Sequence, residues 1–187
     1  MKFEYARISD SLFRQEYSLS RLQEYVEMII YATISFSLPF LLGHEQLLVG
    51  SVVNCALVLA ALNLKGARLL PVIILPSIGA YLAGLIFGAA SSALLYMLPF
   101  IWLGNAVLVL CIKYFVLDKK TNRIAALGFG ATAKAAFLFL SALALLSFTM
   151  VPAAFLTAMG IFQLMTALLG GGAALVLQEG KKRIALA

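Results

Sequence analysis

Residues 47–64 read LLVGSVVNCALVLAALNL, from Leu47 to Leu64, and Lys65-Gly66-Ala67-Arg68 follows at once. An uninterrupted run of this kind is too long for a buried strand, and a helix needs about 20 mainly apolar residues to cross the hydrocarbon core of a bilayer. The run has no charge until two cations end it, as a membrane boundary would. Working outward, five more stretches qualify: Val26–Leu42, Leu69–Gly88, Ala93–Leu117, Ile124–Phe148 and Ile161–Leu177. None shows the short alternating segments of a membrane barrel. The expected fold is therefore all-α, an integral membrane bundle of about six transmembrane helices. Residues 1–25 would form a cytoplasmic or interfacial segment, 26–178 the membrane domain, and 179–187 a basic tail.

Composition agrees. Of 187 residues, 63% are apolar and 12% charged, against about 45–50% and 25% in soluble domains. The pI near 9.5 would suit a nucleic-acid partner only if the cations shared one patch, and they are distributed along the chain. They follow a simple rule instead. Of the 14 Lys and Arg, all but Lys134 fall before the first span, between the second and third, around the link from fourth to fifth, or after the sixth. The opposite connections, Gly43–Gln46, Ala89–Ser92 and Thr149–Gly160, have none. Basic loops stay in the cytoplasm, so both termini are expected inside. The polar start argues against a cleaved secretory signal. Residues 1–25 alternate charges with Phe3, Tyr5, Ile8, Leu12, Phe13 and Tyr17, which fits either a helix lying on the membrane or a solvated tail.

Ionisable groups inside a bilayer are costly and are functional candidates by default. Lys134 stands about 10 residues into the fifth span, roughly 15 Å deep at 1.5 Å per residue. No acid is expected within the spans as its counter-ion. It could bind an anionic group of a solute, be satisfied by amides and carbonyls, or be neutral. Asn54, Asn105 and Gln163 place amides at related depths, and such amides commonly join helices. With His44, Glu45 and Gln46 they would populate the outer half of the bundle, leaving the inner half nearly free of polar groups. That asymmetry suggests a cavity open to the outside. His44 alone makes no metal site; it is an exposed loop residue or a lid. Pro76 with Ser77, and Pro99, would release backbone carbonyls that need protein or a wet cavity as partners. Ala80, Gly84 and Gly88 form a small-residue ladder on the third span, and Gly170, Gly171 and Gly172 soften the sixth. Cys55 and Cys111 are isolated in apolar runs and read as small hydrophobes. No cofactor or catalytic group is implied, and acid-base chemistry would rest on Lys134 alone.

Six short-looped helices with a polar outer half resemble the substrate-binding S component of energy-coupling-factor (ECF) transporters, and Leu75–Ala80 through Gly84 and Gly88 is similar to the glycine-spaced third helix of that superfamily. Many S components carry Ala-x-x-x-Ala on the first span, where this chain has Tyr31-Ala32-Thr33-Ile34-Ser35-Phe36. The chain also resembles small prokaryotic membrane proteins sometimes labelled iron hydrogenase. That likeness rests on Gly43–Gln46, Gly50–Asn54, Leu75–Ser77, Pro99–Asn105, Ala133-Lys134 and Gln163–Ala167. A hydrogenase needs thiolate ligands, and two separate cysteines do not supply them. The S-component resemblance implies a non-enzymatic binding subunit for a small solute, with Lys134, Asn54, Asn105, Gln163, His44, Gln46 and Ser77 as binding residues. Its partners would be the lipid bilayer, a transmembrane coupling subunit and ATPases. The chain has no phosphate-binding Gly-rich loop, so energy would come from them. The competing expectation is a structural or assembly protein of a membrane complex, with every buried amide quenched by neighbouring helices.

Overall fold

The computed structural model describes residues 10–43, 45–84 and 88–186. Helix α1 spans Arg21–Leu42, α2 Gln46–Asn63, α3 Leu69–Ala83, α4 Leu94–Ile112, α5 Arg123–Ser147, α6 Ala154–Met159 and α7 Ile161–Leu186. With the short helical turns adjoining α3, α4 and α6, these supply six helices long and apolar enough to cross a membrane. No strand occurs among the described residues. His44 lies outside them.

Local chemistry sets the boundaries. Ser20 opens α1 with a capping box: its hydroxyl accepts from the Gln23 amide, and its own amide donates to the Gln23 side chain. This satisfies two backbone donors that a helix start leaves orphaned. The side chain of Asn122 accepts from the amides of Ile124 and Ala125 at the start of α5. Helix α3 stops at Ala83 because Gly84 adopts a left-handed conformation (φ +66°), open to glycine at little cost. Gly84 therefore ends α3, Gly88 opens the short 3-10 helix Gly88–Ala93, and the ladder expected on the third span does not form.

Helix α2 is the axis of the bundle, with 50% of its span window buried against 17% for α1. Close backbone approach fixes its main partner. A Cβ at Gly170 on α7 would collide with the Ser51 carbonyl oxygen of α2, and one at Gly79 on α3 with the Phe36 carbonyl of α1. Gly170 and Gly171 of α7 thus serve packing, the second against Leu127 of α5, whereas Gly172 faces open space; the helix runs through all three unbroken. It also runs through the expected basic tail as far as Leu186. The helices likewise continue through Pro76 and Pro99. Two carbonyls in the turn before Pro76 take side-chain donors, Ile73 from Asn105 and Ile74 from Ser77. The expected loop 149–160 contains α6, whose Phe155 and Met159 close a second apolar core with Val151, Leu94, Met97 and Leu138.

The surface-helix or tail reading of residues 1–25 falls in part on residues 1–9, which lie outside the described residues; residues 10–20 are helical only at Asp10 and Ser11 and then run irregularly. They enter the end of the bundle that carries the basic loops: the Glu16 amide donates to the Leu62 carbonyl at 2.8 Å, and the Gly66 amide to the Leu12 carbonyl at 3.0 Å. Ser11 is fully buried.

Candidate functional site

Each of the long helices except α1 contributes to a cavity of about 90 Å³ in the half of the bundle away from the basic loops. Gln46, Gly50 and Asn54 line it from α2, Ser77 from α3, Asn105 from α4, Lys134 from α5 and Gln163 from α7. Of the residues the sequence nominated, all but His44 thus meet at one cavity. Asn54, Ser77, Asn105 and Lys134 are buried, while Gln46 and Gln163 are partly exposed. Asn54 follows Gln46 by two helical turns, about 12 Å at 1.5 Å per residue. The cavity runs from a partly exposed rim to a buried floor.

At the floor, the Lys134 ammonium donates to Asn54 Oδ1 at 2.6 Å. Asn54 is held in turn: its Nδ2 donates to the Gly50 carbonyl at 2.9 Å and to Thr166 Oγ1 at 3.1 Å. Thr166 was not nominated as a site residue. Its place one turn beyond Gln163 on α7, on the same face, is the signal that could have found it. Lys134 has three donors and a single hydrogen-bond partner among the described residues. Among the described residues, no Asp or Glu lines the cavity.

Ser77 has a structural task. It accepts from Trp102 Nε1 at 2.8 Å and spends its proton on Ile74. The Trp102 indole is thereby fixed between α3 and α4.

The expectation that the opposite half of the bundle is nearly free of polar groups fails. Lys113, counted with the cations that end the fourth span and lead into the fifth, is buried and donates to the carbonyls of Arg14 and Leu64 at 2.7 and 2.8 Å. Asn63 and Gln178 exchange hydrogen bonds between α2 and α7, and Gln178 also donates to Glu16. Gln15 bridges Glu24 and the Asn63 carbonyl. The expectation of acid-free spans fails here too: Glu27 lies inside Val26–Leu42 itself, and α1, which begins at Arg21, adds Glu24. Glu24 is ion-paired with Lys65 and Arg68, and Glu27 with Lys181. Neither acid reaches Lys134. Tyr17, on the inserted segment, has its phenol pKa raised by burial and then by the Glu16 charge.

Larger grooves at this end are lined by Arg123 and Glu16, or by Arg14 and Asp118. Arg123 is paired with Glu16 and Arg14 with Asp118, and the other charges on these walls, Asp10, Lys119 and Lys120, are exposed to solvent. The cavity around Lys134 is where a buried cation still has unused donors.

Fold and site together define a multi-pass helical membrane protein with a polar internal cavity. Comparison with known proteins finds no family model, no curated protein and no solved structure that matches this chain.

Proposed function

We propose that this protein is a membrane-embedded binding subunit for a small anionic solute, which enters the cavity from the end free of basic loops and docks its charge on Lys134. The observation that carries this reading is the partner count at Lys134. A cation withdrawn from water is retained at a cost of several kcal/mol unless charge and hydrogen bonds offset it, and here it has one neutral amide. An anion in the cavity supplies both missing elements. The size of the cavity points to a solute of a few heavy atoms, since drug-sized ligands occupy roughly 300–1,000 Å³.

On this reading the basic end faces the cytoplasm, as the distribution of Lys and Arg favours. The protein is an S-component-like subunit of an ECF-type importer in a prokaryotic plasma membrane, energised by separate coupling and ATPase subunits. The competing reading, a structural or assembly protein with no solute site, is favoured by one observation: Asn54 spends both ends of its amide on Lys134, Gly50 and Thr166.

Thermal unfolding of the purified protein, with a panel of small carboxylates, phosphate and sulfate, separates the two. A ligand at a hundred times its Kd stabilises by about 2.7 kcal/mol, and this gain should vanish in Lys134→Gln. If no anion stabilises the protein and Lys134→Gln melts like the wild type, the structural reading stands instead.

A further inference from the structure

The same cavity specifies more than a negative charge. Asn105 donates its Nδ2 to the Ile73 carbonyl at 2.9 Å, which fixes the orientation of the amide and leaves Oδ1 without a partner among the described residues. Asn105 is buried, and its side chain lines the cavity. The floor therefore presents two complementary features: spare donors on Lys134 and a free acceptor on Asn105.

These two groups come from neighbouring helices. Helices α4 and α5 pack closely, with Gly104 set against the Leu138 side chain and Gly130 against Cys111. Ser77 does not compete, because its hydrogen bonds to Trp102 and Ile74 are already made. Much of the remaining wall is apolar, from Val53, Leu94, Ile101 and Met159 among others. At about 30 Å³ of liquid per water molecule, the cavity of about 90 Å³ suits a compact molecule.

Building on the anion-binding reading above, we infer that the solute carries an O–H or N–H donor beside its anionic group, as a small hydroxy- or amino-carboxylate does. The anionic oxygens lie on Lys134 and the donor is received by Asn105 Oδ1. A plain carboxylate of the same size would displace water from Oδ1 and return nothing. Sites that hydrogen-bond a hydroxyl or amine reject analogues lacking it far more strongly than apolar pockets reject a missing methylene.

The test is equilibrium binding of propionate, lactate and alanine to the full chain in lipid nanodiscs. Lactate or alanine should bind wild type at least about tenfold more tightly than propionate, the scale set by one buried unsatisfied acceptor. Asn105→Leu should bring that ratio to within about twofold, because it removes the acceptor that recognises the donor; the ratio is the readout, since the same change also frees the Ile73 carbonyl and shifts all three affinities together. Lys134→Gln should weaken all three. Propionate binding as tightly as both others would overturn the donor inference and leave anion capture standing, as would stabilisation by other anions with none of these three binding. Failure of every anion, with Lys134→Gln indistinguishable from wild type, would remove the underlying reading as well. If Asn105→Leu does not fold, the wild-type ratio decides alone.

Discussion

Lys113 and Lys134 are buried to the same degree, 0% and 1% exposed, and are held in opposite ways. Lys113 sits between two backbone carbonyls from separate segments, inside a region where Gln15, Glu16, Asn63 and Gln178 satisfy one another. Lys134 has one amide and a cavity. Burial of a cation is thus a poor guide to its role. What distinguishes a fastener from a site is the number of partners still wanting.

The comparison makes quantitative demands. Lys113→Met would strand the Arg14 and Leu64 carbonyls and release segment 10–20, so it should cost about 3 kcal/mol in thermal unfolding and speed proteolysis within that segment. Lys134→Met should cost at most about 1 kcal/mol, because replacing an under-paired buried charge by an apolar chain is often neutral or better. Equal losses at the two lysines would break the distinction. Next comes Gln178→Leu, which removes partners from Asn63 and Glu16 together and should destabilise by about 2 kcal/mol. Combined with Asn63→Leu, it should add less than about 0.5 kcal/mol beyond the single change, since the two residues act as one unit; additive losses would show that they do not.

Smaller effects sharpen the picture on the cavity side. Thr166→Val removes one acceptor from Asn54 and keeps the Gly50 carbonyl, so stability should fall by about 0.6 kcal/mol, a usual worth for a side-chain hydrogen bond inside a membrane. Solute affinity, read by calorimetric titration, should drop about threefold, the same free energy converted. Asp118→Asn breaks a half-exposed pair with Arg14 and should change the melting free energy by less than about 0.5 kcal/mol. A larger loss would mean that segment 10–20 is held by its charges more than by its backbone.

The six spans were legible because a bilayer demands long apolar runs, and Leu47–Leu64 satisfies that demand without help from any other part of the chain. Lys134 and its amides were legible for the same reason: a polar residue inside such a run is conspicuous. The opposite half was not. Lys113 stands where an apolar run ends, which is where a loop cation would also stand, and its partners are backbone oxygens that leave no trace in side-chain sequence. Gln15 and Glu16 meet residues 48, 107 and 162 positions away, distances over which local pattern carries no information. Gly84 was misread because a glycine that continues a helix and one that ends it look alike until φ is known.

The hydrogen bond from Gln178 to Glu16 joins residues 162 positions apart in the chain. Translation supplies Glu16 well before Gln178, so this contact is impossible while α1 to α5 are being inserted. Until α7 arrives, Asn63 also lacks its reciprocal amide. Biogenesis therefore has a compulsory order, in which these five spans are laid down before the seam around Gln178 closes.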